Sequence, residues 1–269
     1  MSKENRGEII ESIKKRKKEV VITFESGDKL SLSPFTFTEF RLYEGKQLSE
    51  QEYLNLVSSK KEEGYMEYAL RLLSRENYSS YVLYGKILDR GANVELAQKI
   101  IDKLTKEGLL DDKMYAKTYA EDVAELRLYG RNKVLFNLHQ KGISNEIIDD
   151  LSFPREKELE KALNYVKVLD RRLLKAPKNK KVGKTLLALR ERGFDLDVAK
   201  EATNQALSFP SEEENKSNLE SDYLIAKTRY ERKYNGYKLS RAIFAYLLRK
   251  GYEYDDISNL VKGENDENN

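Results

Sequence analysis

A carboxylate pair, a lone imidazole and a glycine-lysine-threonine run are the residues of this chain whose types and spacing could do chemistry. Asp111 and Asp112 stand side by side, as two-carboxylate acid–base work or a divalent metal would require. They also sit where a helical apolar pattern opens, and an acidic N-cap accounts for both with no chemistry added. His139 is the one histidine, and there is no cysteine, so it has no partner for a metal site or a familiar catalytic dyad. Lys181-Val182-Gly183-Lys184-Thr185 echoes the end of a phosphate-binding loop. That loop needs a glycine five residues before Gly183, where Lys178 stands, and a strand before it. The reading is therefore no enzyme, no metal and no cofactor.

Cations remain. Arg90, Lys141, Arg192 and Lys250 each stand one residue before a glycine, and could form a basic row on a binding face. Alternatively they complement the negative end of a helix that finishes at that glycine. Arg127, Arg131 and Lys133 crowd one interhelical turn, where neither a C-cap nor a core role uses all three charges, so contact with phosphate or an acidic protein face competes with a solvated basic turn. Lys14 to Lys18, Lys178 to Lys181, and Arg229, Arg232 and Lys233 make similar patches of low specificity. The 18 tyrosines fall largely on apolar stripes, where packing competes with base stacking.

The elements that must position these groups recur along the chain. Gly91, Gly142, Gly193 and Gly251 are 51, 51 and 58 residues apart. Four positions before them stand Ile87, Leu138, Leu189 and Leu247. Two positions after the first three come Asn93, Ser144 and Asp195, all N-cap residues, and only Glu253 departs. Each unit reads as helix, glycine turn, helix, with a further helix leading in. In the second unit that leading helix opens at Asp111-Asp112 and carries Tyr115, Tyr119, Val123 and Leu126, with Ala116, Ala120 and Ala124 alongside. Units this small share cores with their neighbours, which predicts a mainly α fold, an elongated curved array of tandem three-helix repeats.

An N-terminal region, 1–62, differs. Residues 19–32 form a β-hairpin about Ser26-Gly27-Asp28, and Ser49-Glu50-Gln51-Glu52 is a capping box that opens a helix. Repeats follow at 63–108, 109–153, 154–207 and 222–262, with 175–183 as a loop inside the third and 208–221 as a linker. Residues 1 to about 8 and 263–269 are expected to be disordered. With 39% hydrophobic residues, 269 residues can supply several small cores. No apolar run approaches the ~20 residues of a membrane span, and the missing cysteines fit a reducing compartment, so a cytoplasmic protein is expected. Net charge is only +3 against 49 Lys+Arg, so affinity for a polyanion must come from local clustering.

The stretches YALRLLSRENYSSYVLYGKILDRG (68–91), GLLDDKMYAKTYAEDV (108–123) and YGRNKVLFNLHQKGISNEIID (129–149) carry a resemblance. With Gly108, Asp111, Asp112, Tyr115 and Ala116, then Gly130, Val134, Leu138, Lys141, Gly142 and Ile143 at matching spacing, the chain resembles the RecX family, in its longer Gram-positive type. The pattern departs at Asn77-Tyr78-Ser79, where the family has arginine then serine, and at Ala92, where it has an aromatic. The resemblance implies a non-enzymatic regulator that binds the RecA filament on single-stranded DNA and modulates its recombinase, ATPase and coprotease activity, as a monomer away from membranes. Candidate contacts to RecA or DNA are Arg127, Arg131, Lys133, Lys141, Lys184, Arg190 and Arg232. Two other readings stay open: a helical protein binding single- or double-stranded nucleic acid directly through its basic interhelical turns, and a generic helical interaction scaffold.

Overall fold

In the computed structural model the described residues are 8–174 and 176–267, with side chains described as far as Val261. The chain forms two compact units, one ending at Tyr115 and one beginning at Ala116. It is mainly α, with a small sheet at its N-terminal end. Among the described residues no helix is long and apolar enough to cross a membrane.

The first unit opens with the antiparallel sheet β3-β2-β1-β4, built from β1 (Glu8–Lys15), β2 (Val20–Phe24), β3 (Lys29–Leu32) and β4 (Gln47–Leu48). The expected hairpin is β2–β3, registered Val20↔Leu32 and Ile22↔Leu30 about a turn in which Gly27 takes φ +88°. Val20, Ile22 and Phe24 alternate with less buried residues, and Ile22 and Phe24 share a core with Ile10, Leu30, Leu32, Leu42, Leu48 and Leu56, the period-2 pattern of a sheet buried on one face. Strand β1 is not signalled in the sequence. Its EIIESIKK places charges among the apolar residues, and a bulge between Ile10 and Ser12 breaks its alternation.

A short helix α1 (Pro34–Glu39) precedes α2 (Glu50–Leu73), which starts at the predicted capping box of Ser49 and Glu52. Helix α2 overrides the 62/63 boundary: Leu56 joins the sheet core, and Ala69 joins the next core with Leu83, Ile87, Ile100 and Leu104. Helices α3 (Ser80–Asp89) and α4 (Val94–Lys106) complete that repeat. One 24-residue helix thus serves two cores, so the N-terminal region and repeat 1 are not separable.

Repeat 2 consists of α5 (Asp112–Thr118), a π-helical turn (Tyr119–Val123), α6 (Ala124–Arg127), α7 (Arg131–Gln140) and α8 (Asn145–Asp149). The Asp111 carboxylate accepts hydrogen bonds from the Lys113 and Met114 amides, both at 2.9 Å, as an N-cap should. Asp112 does something else: it accepts from the Ser80 amide at 2.7 Å, at the start of α3. The π turn adds a residue per turn and rotates the predicted apolar stripe. Ala116 and Ala124 are buried while Leu126 is 86% exposed.

Repeat 3 is α9 (Arg155–Arg172), α10 (Lys178–Glu191) and α11 (Leu196–Ala206), and repeat 4 is α12 (Glu212–Tyr230), α13 (Gly236–Lys250) and α14 (Tyr254–Glu267). Three expectations are corrected here. Residues 178–183 are the first turns of α10 rather than a loop, and Lys181, 1% exposed, bonds the Ser208 carbonyl at 2.8 Å and Asp170 at 2.7 Å. The proposed linker 208–221 is helical from Glu212, because Ser211 and Glu214 form a second capping box, so repeat 4 begins ten residues earlier than expected. At the ends, Glu8 is in β1 and residues 263–267 continue α14, while 1–7 and 268–269 lie outside the described residues.

The Lys181 pair sets a pH dependence. Burial alone would raise the Asp170 pKa, but hydrogen bonds from Lys181 and from Ser208 outweigh it and hold the carboxyl below its ordinary value. A carboxylate depressed in the folded state contributes stability that is present above its unfolded pKa of about 3.9 and is lost as pH falls through the folded value. Asp170→Asn is expected to flatten this acid limb and to cost about 2 kcal/mol at neutral pH, since Lys181 keeps only a neutral partner. Urea unfolding of both proteins between pH 3 and pH 7 measures the two effects, and parallel curves would refute the assignment.

Candidate interaction surface

The four glycines end helices as expected: Gly91, Gly142, Gly193 and Gly251 take φ +104°, +73°, +85° and +100°. Ile87, Leu138, Leu189 and Leu247, one turn earlier, are fully buried, each contributing roughly 2 kcal/mol. The cations before the glycines are held over tyrosine rings: Arg90 over Tyr68 at 5.2 Å, Lys141 over Tyr119 at 5.8 Å, Arg192 over Tyr165 at 4.2 Å and Lys250 over Tyr246 at 5.4 Å. Three of the four tyrosines lie on the leading segment of the repeat. Arg90, Lys141 and Arg192 so tie the last turn of one helix to an aromatic on the leading segment, whereas Lys250 lies over a ring one turn back in its own helix, and all four complement the helix dipole.

The turn 127–133 is a joint between repeats 2 and 3. The Gly130 amide donates to the Arg192 carbonyl at 2.9 Å, and the Asn132 amide to the Gly193 carbonyl at 3.0 Å. Free carbonyls at the end of α10 therefore meet free amides at the start of α7, with the helix dipoles end to start. The approach needs both glycines. A Cβ on Gly130 would lie 2.5 Å from the Phe194 nitrogen, and one on Gly193 would lie 2.1 Å from the Lys133 nitrogen. Beneath the joint Glu158 accepts the Arg131 amide at 2.8 Å and pairs with Lys161 at 2.5 Å, while Lys161 also donates to the Tyr129 carbonyl at 3.0 Å. The Arg192 guanidinium donates to the Arg127 carbonyl and lies 5.7 Å from the Tyr129 ring centre.

Repeats 3 and 4 meet at corresponding positions, with Pro177, which has no amide to donate, before α10 where Gly130 precedes α7. A Cβ on Gly251 would meet the Lys180 Cβ at 2.7 Å. Asn179 donates to Glu253 at 2.8 Å, as Asn132 donates to Asp195 at 2.7 Å. This explains Glu253, the position that departed from the N-cap pattern: its carboxylate is the acceptor of the joint. Each donor is the second residue of its helix, in Arg131-Asn132-Lys133 and Lys178-Asn179-Lys180. That recurring basic-Asn-Lys triplet was the available signal for a joint whose partners lie 63 and 74 residues away.

Through these joints the end of α13 meets the start of α10, and the end of α10 meets the start of α7. Their outward faces share a pattern. On α10, Lys184, Leu187 and Arg190 are exposed at a spacing of three, with Leu187 57% exposed; on α7, Lys133, Phe136 and His139 occupy the equivalent places, with Phe136 55% exposed. Lys133 lies 5.2 Å from the Phe136 ring centre. Each face is an apolar side chain between two basic or imidazole groups, which suits an acidic protein surface with an apolar spot.

The candidate residues thus separate. Lys133, Lys184 and Arg190 share this face. Arg127 is exposed, and a hydrogen bond with Tyr129 raises its pKa. Arg131 is exposed beside the joint, 6.0 Å from the Phe153 ring centre. Lys141 is half-buried on Tyr119, and Arg232 is in the exposed turn after α12, apart from the others. Glu158, Lys161, Asn132 and Asn179 are structural residues that sequence reasoning did not single out. Among the described residues no group of three or more His, Cys, Asp or Glu side chains could hold a metal ion.

Comparison with known proteins agrees with this architecture. A family model described as RecX, second three-helix domain, matches residues 111–151, which span repeat 2. The regulatory protein RecX of Streptococcus uberis is 28% identical over 94% of this chain and 98% of its own, and that of Staphylococcus carnosus is 26% identical over 94% and 95%. A crystal structure of regulatory protein RecX superposes with a TM-score of 0.61 at 25% identity, covering 74% of this chain and all of that one. Sequence, family model and fold concur: the chain is similar to the regulatory protein RecX of these relatives over nearly its whole length, and residues 111–151 match the model of RecX's second three-helix domain.

Proposed function

We propose that the protein binds the RecA filament on single-stranded DNA and regulates its recombinase, ATPase and coprotease activity without chemistry of its own, working as a monomer in the cytoplasm. The resemblance to RecX supports RecA as the target. The observation that carries the contact surface is the repeated face of α10 and α7, an exposed apolar side chain between a lysine and Arg190 or His139, because joined repeats can offer the same small contact more than once. Weak contacts that recur along a rigid chain add through effective concentration.

Titrating the full chain into RecA-catalysed ATP hydrolysis and strand exchange on single-stranded DNA is expected to change both at substoichiometric ratios. No change at any ratio, together with no co-sedimentation with filaments, would sink the proposal. Lys184→Glu with Arg190→Glu is expected to weaken filament binding about tenfold or more, since reversing two rim charges costs about 1.4 kcal/mol or more. Circular dichroism should be unchanged, because both side chains point to solvent. Wild-type binding by this variant would remove the face from the contact.

A further inference from the structure

In repeats 2 and 3 the turn between the first and second helices is used up in joining the following repeat. The equivalent turn of repeat 4, between α12 and α13, joins no other repeat among the described residues and is open: every residue from 231 to 238 is exposed. From Lys227 to Arg241 the chain carries six cations, Lys227, Arg229, Arg232, Lys233, Lys238 and Arg241, against one carboxylate, Glu231. A chain of net charge +3 therefore concentrates more than its whole excess here. Arg232, Lys233, Lys238 and Arg241 make no ion pair among the described residues.

Aromatic rings stand among these charges. Tyr237, where the other joints place asparagine, is 81% exposed. Tyr234 lies 6.4 Å from Tyr230, which is anchored edge-on to Tyr246 at 6.1 Å. We propose that this turn is a binding site for single-stranded nucleic acid, with Arg232, Lys233, Lys238 and Arg241 on successive phosphates and Tyr237 and Tyr234 stacking on bases. Unpaired cations interleaved with exposed rings are what an unpaired strand needs and a duplex, with its bases already stacked, does not. A second copy of this chain fits poorly. The joints require asparagine facing an acid two residues past the glycine, whereas here Tyr237 would face Asn93 beyond Gly91.

The test needs no recombinase, so it fails or succeeds independently of the filament proposal. Fluorescence anisotropy of a labelled oligo(dT) of about 30 nucleotides, with the full chain, is read across a salt series. Arg232→Glu with Lys233→Glu is expected to weaken binding more than tenfold and to reduce the slope of log K against log salt by about 1.4. Tyr237→Ala is expected to weaken binding about tenfold at unchanged slope, and Tyr237→Phe to restore it. Three results would overturn the proposal: wild-type affinity in both the charge and Tyr237→Ala variants, a duplex of equal length bound as tightly and indifferent to Tyr237, or no oligonucleotide binding while light scattering shows self-association.

Discussion

Gly193→Ala is expected to destabilise the 116–269 unit by about 3 kcal/mol. Two costs combine. The residue sits at φ +85°, where a side chain costs roughly 1–2 kcal/mol. Its new Cβ would also lie 2.1 Å from the Lys133 nitrogen and 2.6 Å from the Lys133 Cβ, forcing a backbone shift worth roughly 1–3 kcal/mol. Neighbouring glycines separate the terms. Gly130 has φ −77°, so Gly130→Ala carries only the collision with Phe194 and Gly193. Gly183 lies in α10 with nothing within 4 Å, so Gly183→Ala should leave stability unchanged or raise it by up to about 1 kcal/mol. Urea unfolding followed by circular dichroism ranks the three, and a Gly193→Ala protein as stable as wild type would refute the close approach of α7 and α10.

The second large effect belongs to the charge pair under the same joint. Lys161 is 4% and Glu158 7% exposed, and Lys161→Met is expected to cost about 3–4 kcal/mol, because it leaves a buried carboxylate with one amide donor and the Tyr129 carbonyl with none. Adding Glu158→Gln removes that stranded charge, so the double variant should be more stable than the two single losses summed, by at least about 1 kcal/mol. Strict additivity in a double-mutant cycle would show that the pair is not coupled. By contrast Arg155, half-exposed beside Glu201 at 2.5 Å, should tolerate alanine within about 0.5 kcal/mol.

What could be read from the sequence was what depends on neighbours a few residues away. Glycine endings, the cap at Asp111, the capping box at Ser49 and the β2–β3 hairpin all rest on local backbone chemistry, and all are present. Lys178 to Gly183 was misread because its lysines and glycine look solvent-bound until Asp170 and Ser208, distant in sequence, bury Lys181. Residues 208–221 looked like a linker through their polarity, although Ser211 and Glu214 already spelled a capping box. The expected surface at Arg127, Arg131 and Lys133 was half visible: charge density marked the turn, but no local rule reveals that its backbone is taken by Arg192 and Gly193. The 51-residue spacing of Gly142 and Gly193 sets Lys133 at the place of Lys184 and His139 at that of Arg190.

The two joints use interchangeable parts. Asn132 with Asp195 and Asn179 with Glu253 are the same fitting made twice, each beside a glycine that admits the third residue of the incoming helix. A chain assembled this way changes length only in whole steps. Repeat 2 carries the plug that repeat 4 accepts, so excising repeat 3 would leave matching ends, and duplicating it would create no new kind of surface. Reach along a partner is then a quantity that gene duplication can set without redesigning the contact itself.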